Sequence, residues 1–202
     1  MRIFVALDIP EEVRAALGAL AARLRPVSRA VRWTRIEGVH LTLKFIGEVQ
    51  PQKVEAIKAS LAKIRFPAPT SAGSAWSLPK CIEMKFRGVG FFPNERRPSV
   101  FWAGVEVGAE LGALASAVET SLQPLGIAKE QRAFSPHLTL ARFKSTDGSA
   151  LNRLHEAISA AGPLEFGAGI AKDFHLYQSI LKPGGAEYTR LATFRFAGGE
   201  SQ

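Results

Sequence analysis

The tetrapeptide His40-Leu41-Thr42-Leu43 occurs twice in this chain, because the same four residues return as His137-Leu138-Thr139-Leu140. The second copy begins 97 residues after the first (137 minus 40), close to half of the 202-residue length. Two of the four histidines in the protein open these copies. Side chains alternate between the two faces of an extended strand. Each copy therefore predicts a strand with a histidine and a threonine on one face and two leucines on the other.

The elements predicted around the two copies also repeat in the same order. The matched pairs are strand 3–7 with strand 100–107, helix 11–24 with helix 110–122, the two tetrapeptides, and helix 51–64 with helix 149–161. Further strands are predicted near residues 31–34, 75–78, 82–86, 88–92, 173–181 and 188–196. Four matched pairs predict an internal duplication. We expect an α+β fold over residues 1–202, a single domain of two pseudo-symmetric lobes. Each lobe would be a largely antiparallel sheet flanked by helices, with the active-site groove between the lobes.

The composition is that of an ordinary globular protein, with 47% hydrophobic and 22% charged residues. The formal net charge of +8 favours polyanionic partners such as nucleic acid. Cys81 is the only cysteine, which excludes an internal disulfide and a zinc site built from several cysteines. No apolar segment has membrane-spanning length, and the first apolar run is too short for a signal peptide. We expect a cytoplasmic monomer with no membrane and no stable protein partner.

Two facing histidine–threonine pairs suit displacement at phosphorus without a metal ion. Near neutral pH one imidazole can take a proton from water while a protonated one gives a proton to the leaving oxygen. The threonine hydroxyls can donate hydrogen bonds to phosphate oxygens. Two other interpretations remain open from the residues alone. Both histidines can be structural, or they can belong to a metal site, for which a third ligand of evident spacing is missing.

The chain resembles the 2H phosphoesterase superfamily, whose members carry two His-x-Thr-x motifs about one lobe apart. The resemblance is closest to the RNA 2′,3′-cyclic phosphodiesterases, also called 2′-5′ RNA ligases, and it covers nearly the whole chain. The stretches that carry it are 2–8, 31–33, 40–47, 92–93, 101–105, 134–142 and 179–181 with Tyr188.

The resemblance implies a cofactor-free, metal-independent hydrolysis of 2′,3′-cyclic phosphate RNA ends, such as tRNA fragments, to 2′-phosphomonoesters. It implies that His40 is the proton donor to the leaving 3′ oxygen and that His137 is the proton acceptor that activates water. Thr42 and Thr139 would bind the phosphate. Family members also join RNA ends through a 2′-5′ bond. The alternative of another class is a non-catalytic protein that binds RNA ends or nucleotides on the same scaffold.

Other polar residues are weaker candidates. Lys44 shares the face of His40 and Thr42 if the strand alternates strictly, and it could add positive charge. Arg142 resembles a family arginine, but strict alternation places it on the opposite face from His137. It could reach a phosphate only through a bulge or at the strand end. Three further residues complete the set. Arg132 is a source of positive potential, His155 is expected to be exposed on the polar side of a helix, and His175, on one strand face with Tyr177, is expected to be structural.

Overall fold

The computed structural model describes residues 1–28, 31–64, 81–144, 148–182 and 185–196. The described helices are α1 (Glu11–Leu24), α2 (Lys53–Leu61), α3 (Ala109–Leu122) and α4 (Gly148–Ser159). The described strands are β1 (Arg2–Leu7), β2 (Val31–Trp33), β3 (Leu41–Glu48), β4 (Ile82–Phe92), β5 (Val100–Val107), β6 (His137–Phe143), β7 (Glu165–Ala171), β8 (Asp173–Lys182) and β9 (Gly185–Arg195). None of these helices has the length and apolar character needed to cross a membrane.

The nine described strands form one antiparallel sheet in the order β7-β4-β5-β6-β3-β1-β8-β9, with β2 paired to β6. The α+β prediction is confirmed, and the two expected sheets are the two halves of this single sheet. The halves meet where β3 pairs with β6, and that ladder consists of one residue pair, Leu41 and Leu138. The two histidine strands are therefore neighbours at the centre of the sheet. The division of one domain into two pseudo-symmetric lobes stays a prediction.

Strand order in the sheet differs from strand order in the chain. The C-terminal hairpin β8-β9 pairs with the N-terminal strand β1, whereas β4 pairs with β5 and β7. Strand β1 therefore lies between its histidine strand, β3, and a hairpin that is distant in sequence. This pairing places the C-terminal strands β8 and β9 in the same half of the sheet as β3.

The apolar stripes of the helices and one face of the sheet form a single core. Helix α1 packs against β7 and α4, and α3 packs against β3 and α2. The helical residues that fill the core are Val13, Leu17, Leu20 and Leu24 of α1, Val54, Ile57 and Leu61 of α2, Leu111, Leu114, Val118 and Leu122 of α3, and Leu154 of α4. The leucines of both tetrapeptides are buried in this core, which anchors the histidine strands.

Most predicted elements are present, with two differences. Residues 82–92 form one strand, β4, in place of two, because a register shift between Phe86 and Val89 absorbs the irregularity. Strand β7 was not predicted, since Gly167 and Gly169 are residues that strands normally avoid. Gly169 is required there because the start of α1 lies against its backbone: a Cβ atom would be 2.3 Å from Cγ of Pro10. The strand predicted at 75–78 lies outside the described residues.

Two glycine-to-alanine substitutions should therefore have opposite effects on stability. A Cβ atom at Gly112, within α3, would meet no atom within 4 Å. Gly112→Ala should raise the free energy of unfolding by about 1 kcal/mol, because alanine favours a helix interior. Gly169→Ala should lower it by about 2 kcal/mol through overpacking against Pro10. Urea unfolding of both variants tests this pair. Equal effects of the two substitutions would show that the contact between α1 and β7 is misplaced.

Candidate active site

The single pair that joins the halves of the sheet brings the two tetrapeptides together. Leu41 lies opposite Leu138, and both side chains are fully buried. Extending this antiparallel register by one residue in each direction places His40 opposite Thr139 and Thr42 opposite His137. Because side chains alternate, these four residues face away from the core. They line one cleft, called here the histidine cleft, with a volume of about 580 Å³.

The histidine cleft is strongly basic. The arginines that line it are Arg2, Arg32, Arg35 and Arg142, and no described residue in its lining is acidic. Arg32 and Arg142 lie directly opposite each other in the β2–β6 ladder. Like charges that face each other across strands destabilise a sheet unless an anion lies near them. The cleft therefore favours an anionic ligand beside the two histidines.

The ring of His40 is held by one hydrogen bond and two aromatic rings. Its Nδ1–H donates to the carbonyl oxygen of Gly38 at 2.7 Å, since a carbonyl can only accept. Phe4 stacks on the imidazole with 4.5 Å between ring centroids, and Tyr188 meets it edge-on at 5.1 Å. Gly38 is needed because a Cβ atom there would be 2.8 Å from the Tyr188 ring. These contacts leave Nε2 as the nitrogen of His40 able to exchange a proton with a ligand.

The ring of His137 repeats this arrangement. Its Nδ1–H donates to the carbonyl oxygen of Ser135, again two residues earlier, at 2.8 Å. Phe92 supports the imidazole edge-on with 5.0 Å between centroids. The two histidines therefore share one tautomer when neutral, with the proton on Nδ1 and Nε2 available. A group bound between the two rings would therefore meet the Nε2 atom of each histidine. The two Nε2 atoms differ in the residues that surround their rings.

Burial lowers the pKa of His40 from its ordinary value of 6.5 to about 4. The Gly38 carbonyl and the Asp8 carboxylate act against this decrease, and the Arg14 guanidinium adds to it. Arg14 also fixes the segment before His40, because its Nη1 donates to the carbonyls of Ile36, Glu37 and Val39 at 2.8 to 3.2 Å. In the free protein His40 is thus neutral at pH 7.

Asp8 is held by a hydrogen-bonded network at the end of β1. Its carboxylate accepts a hydrogen bond of 2.6 Å from the Tyr177 hydroxyl and pairs with the Arg190 guanidinium. Burial, followed by the hydrogen bond to Asp8, raises the pKa of Tyr177 to about 12, so this phenol keeps its proton. Tyr177 also stacks on Phe4, which in turn stacks on His40. The network fixes both a negative charge and an aromatic stack behind the histidine.

A β-bulge follows each His-x-Thr sequence and decides which basic residue faces the histidine cleft. In β3 the partners of Thr42 and Lys44 are the adjacent residues Ala6 and Val5, which leaves Leu43 unpaired. In β6 Leu140 is unpaired in the same way, opposite the step from Trp102 to Phe101. A bulge inverts the alternation beyond it. Because of this bulge, Arg142 lies on the same face as His137 and lines the histidine cleft, which strict alternation would not allow.

The same inversion removes Lys44 from the site, which corrects its assignment as a source of charge beside His40. Lys44 is 6% exposed on the helix side of the sheet. Its Nζ donates to Glu119 of α3 at 2.9 Å and to the carbonyl of Ala128 at 2.7 Å. Phe45, one residue later, takes the position in β3 that Arg142 has in β6, and it lines the histidine cleft.

The remaining candidates lie outside the histidine cleft. Arg132 lines a separate groove beyond Phe45. His155 of α4 packs edge-on against Phe91. His175 is 2% exposed, and its two ring nitrogens lie near Thr193 and Asp173. Burial lowers the pKa of His175, so it is a neutral part of the network around Asp8.

The aromatic residues that hold the histidines have no role that the sequence pattern predicts. Tyr188, Phe4 and Phe92 each contact an imidazole, and Tyr188 is also part of the lining of the histidine cleft. Burial raises the pKa of Tyr188, against the influence of Arg142 and Arg2. The available signal was that all three residues fall in the stretches that carry the family resemblance. Their contacts with histidine depend on strand pairings that no local pattern reveals.

Comparison with known proteins finds relatives that match nearly the whole chain. A family model described as LigT-like phosphoesterase matches residues 7–102 and 105–188. An RNA 2′,3′-cyclic phosphodiesterase of Archaeoglobus fulgidus is 33% identical over 194 residues, which cover 96% of this chain and 99% of the relative. Among solved structures, the protein TT0787 of Thermus thermophilus has a TM-score of 0.75 and 31% identity, covering 99% of this chain and 100% of its own.

A further structural neighbour is Escherichia coli LigT in complex with 3′-AMP, with a TM-score of 0.74 and 25% identity. The match covers 97% of this chain and 98% of LigT. The family model accounts for most of the residues between positions 7 and 188, and both tetrapeptides lie within the matched ranges. The chain belongs to the LigT-like phosphoesterase family, which is part of the 2H phosphoesterases.

The buried imidazole of His40 should make the protein sensitive to acid. Because the native state lowers this pKa to about 4, the unfolded state binds the proton more tightly between pH 6.5 and pH 4. Stability is complete above pH 6.5 and falls as the pH decreases through this window, by about 2 kcal/mol between pH 7 and pH 5. His40→Asn, whose amide can still donate to Gly38, should lose about this much less between the two pH values.

Urea unfolding at both pH values measures the difference, and NMR titration of the His40 ring measures the pKa itself. The same pH dependence in wild type and His40→Asn would contradict the burial of this imidazole.

Proposed function

We propose that this protein hydrolyses 2′,3′-cyclic phosphate ends of RNA to 2′-phosphomonoesters without a metal ion. The observation that carries the proposal is the matched pair of histidines, each with Nδ1–H bonded to a carbonyl and Nε2 available to a ligand. Membership of a phosphoesterase family supports the reaction class. The Archaeoglobus fulgidus relative, named as an RNA 2′,3′-cyclic phosphodiesterase, supports the substrate class.

In the proposed reaction His137 is the base. Its Nε2 takes a proton from water while the water oxygen forms a bond to phosphorus. The bond between phosphorus and the 3′ oxygen breaks, and His40 gives a proton from Nε2 to that oxygen. The product carries a 2′-phosphate and a free 3′-hydroxyl, and the two histidines have exchanged protonation states. Proton exchange with solvent restores the starting state. A 5′-hydroxyl of another RNA in place of water would give a 2′-5′ bond.

The phosphate would be held by groups that do not change protonation state. The hydroxyls of Thr42 and Thr139 donate to non-bridging oxygens, and the guanidinium of Arg142 adds charge-assisted hydrogen bonds. Arg32 lies beside Arg142 and strengthens the positive field. Such preorganised donors stabilise the additional charge that develops on the phosphoryl oxygens in the transition state.

The low pKa of His40 has to be reconciled with its role as the acid. In the free protein burial keeps this imidazole neutral at pH 7. A cyclic phosphate bound in the histidine cleft brings a negative charge close to the ring, which favours the protonated form. Asp8 acts in the same direction from behind. Substrate binding is therefore expected to raise this pKa and to be accompanied by uptake of a proton.

The direct test is incubation of the purified protein, in EDTA, with an oligoribonucleotide that ends in a 2′,3′-cyclic phosphate. We expect a 2′-phosphate product, with the rate unchanged by EDTA. His40→Ala and His137→Ala should each lower kcat about a hundredfold or more, because each removes one proton transfer. Lys172→Ala, an exposed position outside the histidine cleft, serves as the control.

Each alternative has its own outcome. A 3′-phosphate product would overturn the assignment of donor and acceptor, because the 2′ oxygen would then be the leaving group. Full activity in both histidine variants would contradict the mechanism. Tight binding of the cyclic end without turnover would identify the protein as a binder of RNA ends.

A further inference from the structure

A second cavity lies beside the histidine cleft and shares one lining residue, Phe45, with it. This cavity has a volume of about 680 Å³ and is called here the basic groove. Its lining includes Glu48, Lys53, Lys129, Glu130, Gln131 and Arg132. Phe45 belongs to the lining of both cavities, so the basic groove begins where the histidine cleft ends.

The basic groove carries positive charge that its own acidic residues do not neutralise. Lys53, Lys129 and Arg132 form no ion pair within the part of the chain that the structure describes. Glu48 pairs with the amino group of Met1 at 3.2 Å. Glu130 accepts the backbone N–H groups of Gln131 and Arg132. The three cations therefore face an open groove whose two carboxylates already have partners.

Phe45 is suited to stacking against a nucleobase. Its side chain is 52% exposed although it lies in the middle of the protein's central sheet. The guanidinium of Arg2 lies over the ring at 4.8 Å from its centroid, which fixes the ring's orientation. The bulge at Leu43 is what turns this ring toward the histidine cleft. An exposed aromatic ring beside a basic groove is the usual means of holding single-stranded nucleic acid.

We propose that the basic groove binds the nucleotides that precede the cyclic phosphate of a single-stranded RNA. One base stacks on Phe45, and the backbone phosphates contact Lys53, Lys129 and Arg132. This inference rests on the proposed function, which places the terminal phosphate between His40 and His137. It defines the substrate as an unpaired RNA segment, because a base inside a duplex has no face free for stacking.

The test compares an octaribonucleotide that ends in a 2′-phosphate with a nucleoside 2′-monophosphate. Fluorescence anisotropy measures the Kd of the labelled oligonucleotide, and competition against it measures the Kd of the mononucleotide. The wild type should bind the oligonucleotide about tenfold or more tightly, since stacking and phosphate contacts add to the terminal phosphate. The double variant Lys129→Gln/Arg132→Gln should reduce this ratio toward one. Phe45→Ala should reduce it as well, and Phe45→Trp should restore it.

Salt dependence gives a second readout. For single strands each lost phosphate contact lowers the slope of log Kd against log salt by about 0.7, so the double variant should lose about 1.4. The matched control is Arg23→Gln/Lys172→Gln, which removes the same charge at exposed positions outside both cavities. This control should keep both the Kd ratio and most of the salt slope.

The outcomes separate the inference from the proposed function. If hydrolysis fails but the Kd ratio follows Lys129, Arg132 and Phe45, the basic groove binds RNA and only the chemistry is wrong. If hydrolysis succeeds while oligonucleotide and mononucleotide bind equally, the groove proposal is overturned and the function stands. Equal losses in the double variant and in its control would also overturn the groove, because net charge alone would then explain the binding.

Discussion

The extra residue that directly follows each His-x-Thr sequence determines the contents of the histidine cleft. Leu43 and Leu140 have no partner in the neighbouring strand, and the alternation of side chains reverses after each of them. The leucines before and at the bulge stay in the core, which prevents the strands from sliding. Beyond the bulge Phe45 and Arg142 turn toward the histidines. Without the bulges, Arg142 would be buried and Lys44 would be exposed. The histidine cleft would then lose the guanidinium of Arg142, which lies opposite Arg32.

The two histidine motifs have matching backbone geometry, but the residues around the two imidazoles differ. Both imidazoles use Nδ1–H on a carbonyl two residues earlier, and both rest on an aromatic ring. Burial lowers the pKa of His40 to about 4. Asp8, fixed by Tyr177 and Arg190, offsets part of that decrease from a position behind the ring. The asymmetry of the proposed acid and base therefore comes from the surroundings of the motifs and not from the motifs themselves.

The repeated tetrapeptide, together with the helices and strands that repeat around it, predicted the α+β fold and the four residues His40, Thr42, His137 and Thr139 that the structure brings together. The pairing of the two histidine strands within one sheet was not predicted. Periodicity predicted all four described helices, since their apolar stripes are regular. It was insufficient where tertiary contacts override local pattern. Lys44 was placed on the wrong face because a bulge leaves no signal in the composition of a strand. Strand β7 was missed because its glycines serve the close approach of α1, which lies far away in sequence. The pairing of β8 and β9 with β1 brings Tyr188 to His40 and could not be derived from either segment alone.

The most direct test of the two bulges is a parallel measurement on Arg142→Gln and Lys44→Gln. For each variant, kcat/KM on the cyclic phosphate end and the free energy of unfolding in urea are measured under the same conditions. Arg142→Gln should lower kcat/KM about tenfold or more and leave stability within about 0.5 kcal/mol, because an exposed cleft residue is removed. Lys44→Gln should lower stability by about 3 kcal/mol, since Glu119 loses its buried partner, with kcat/KM of the folded protein retained. Loss of kcat/KM in Lys44→Gln without loss of stability, together with full activity in Arg142→Gln, would contradict the account.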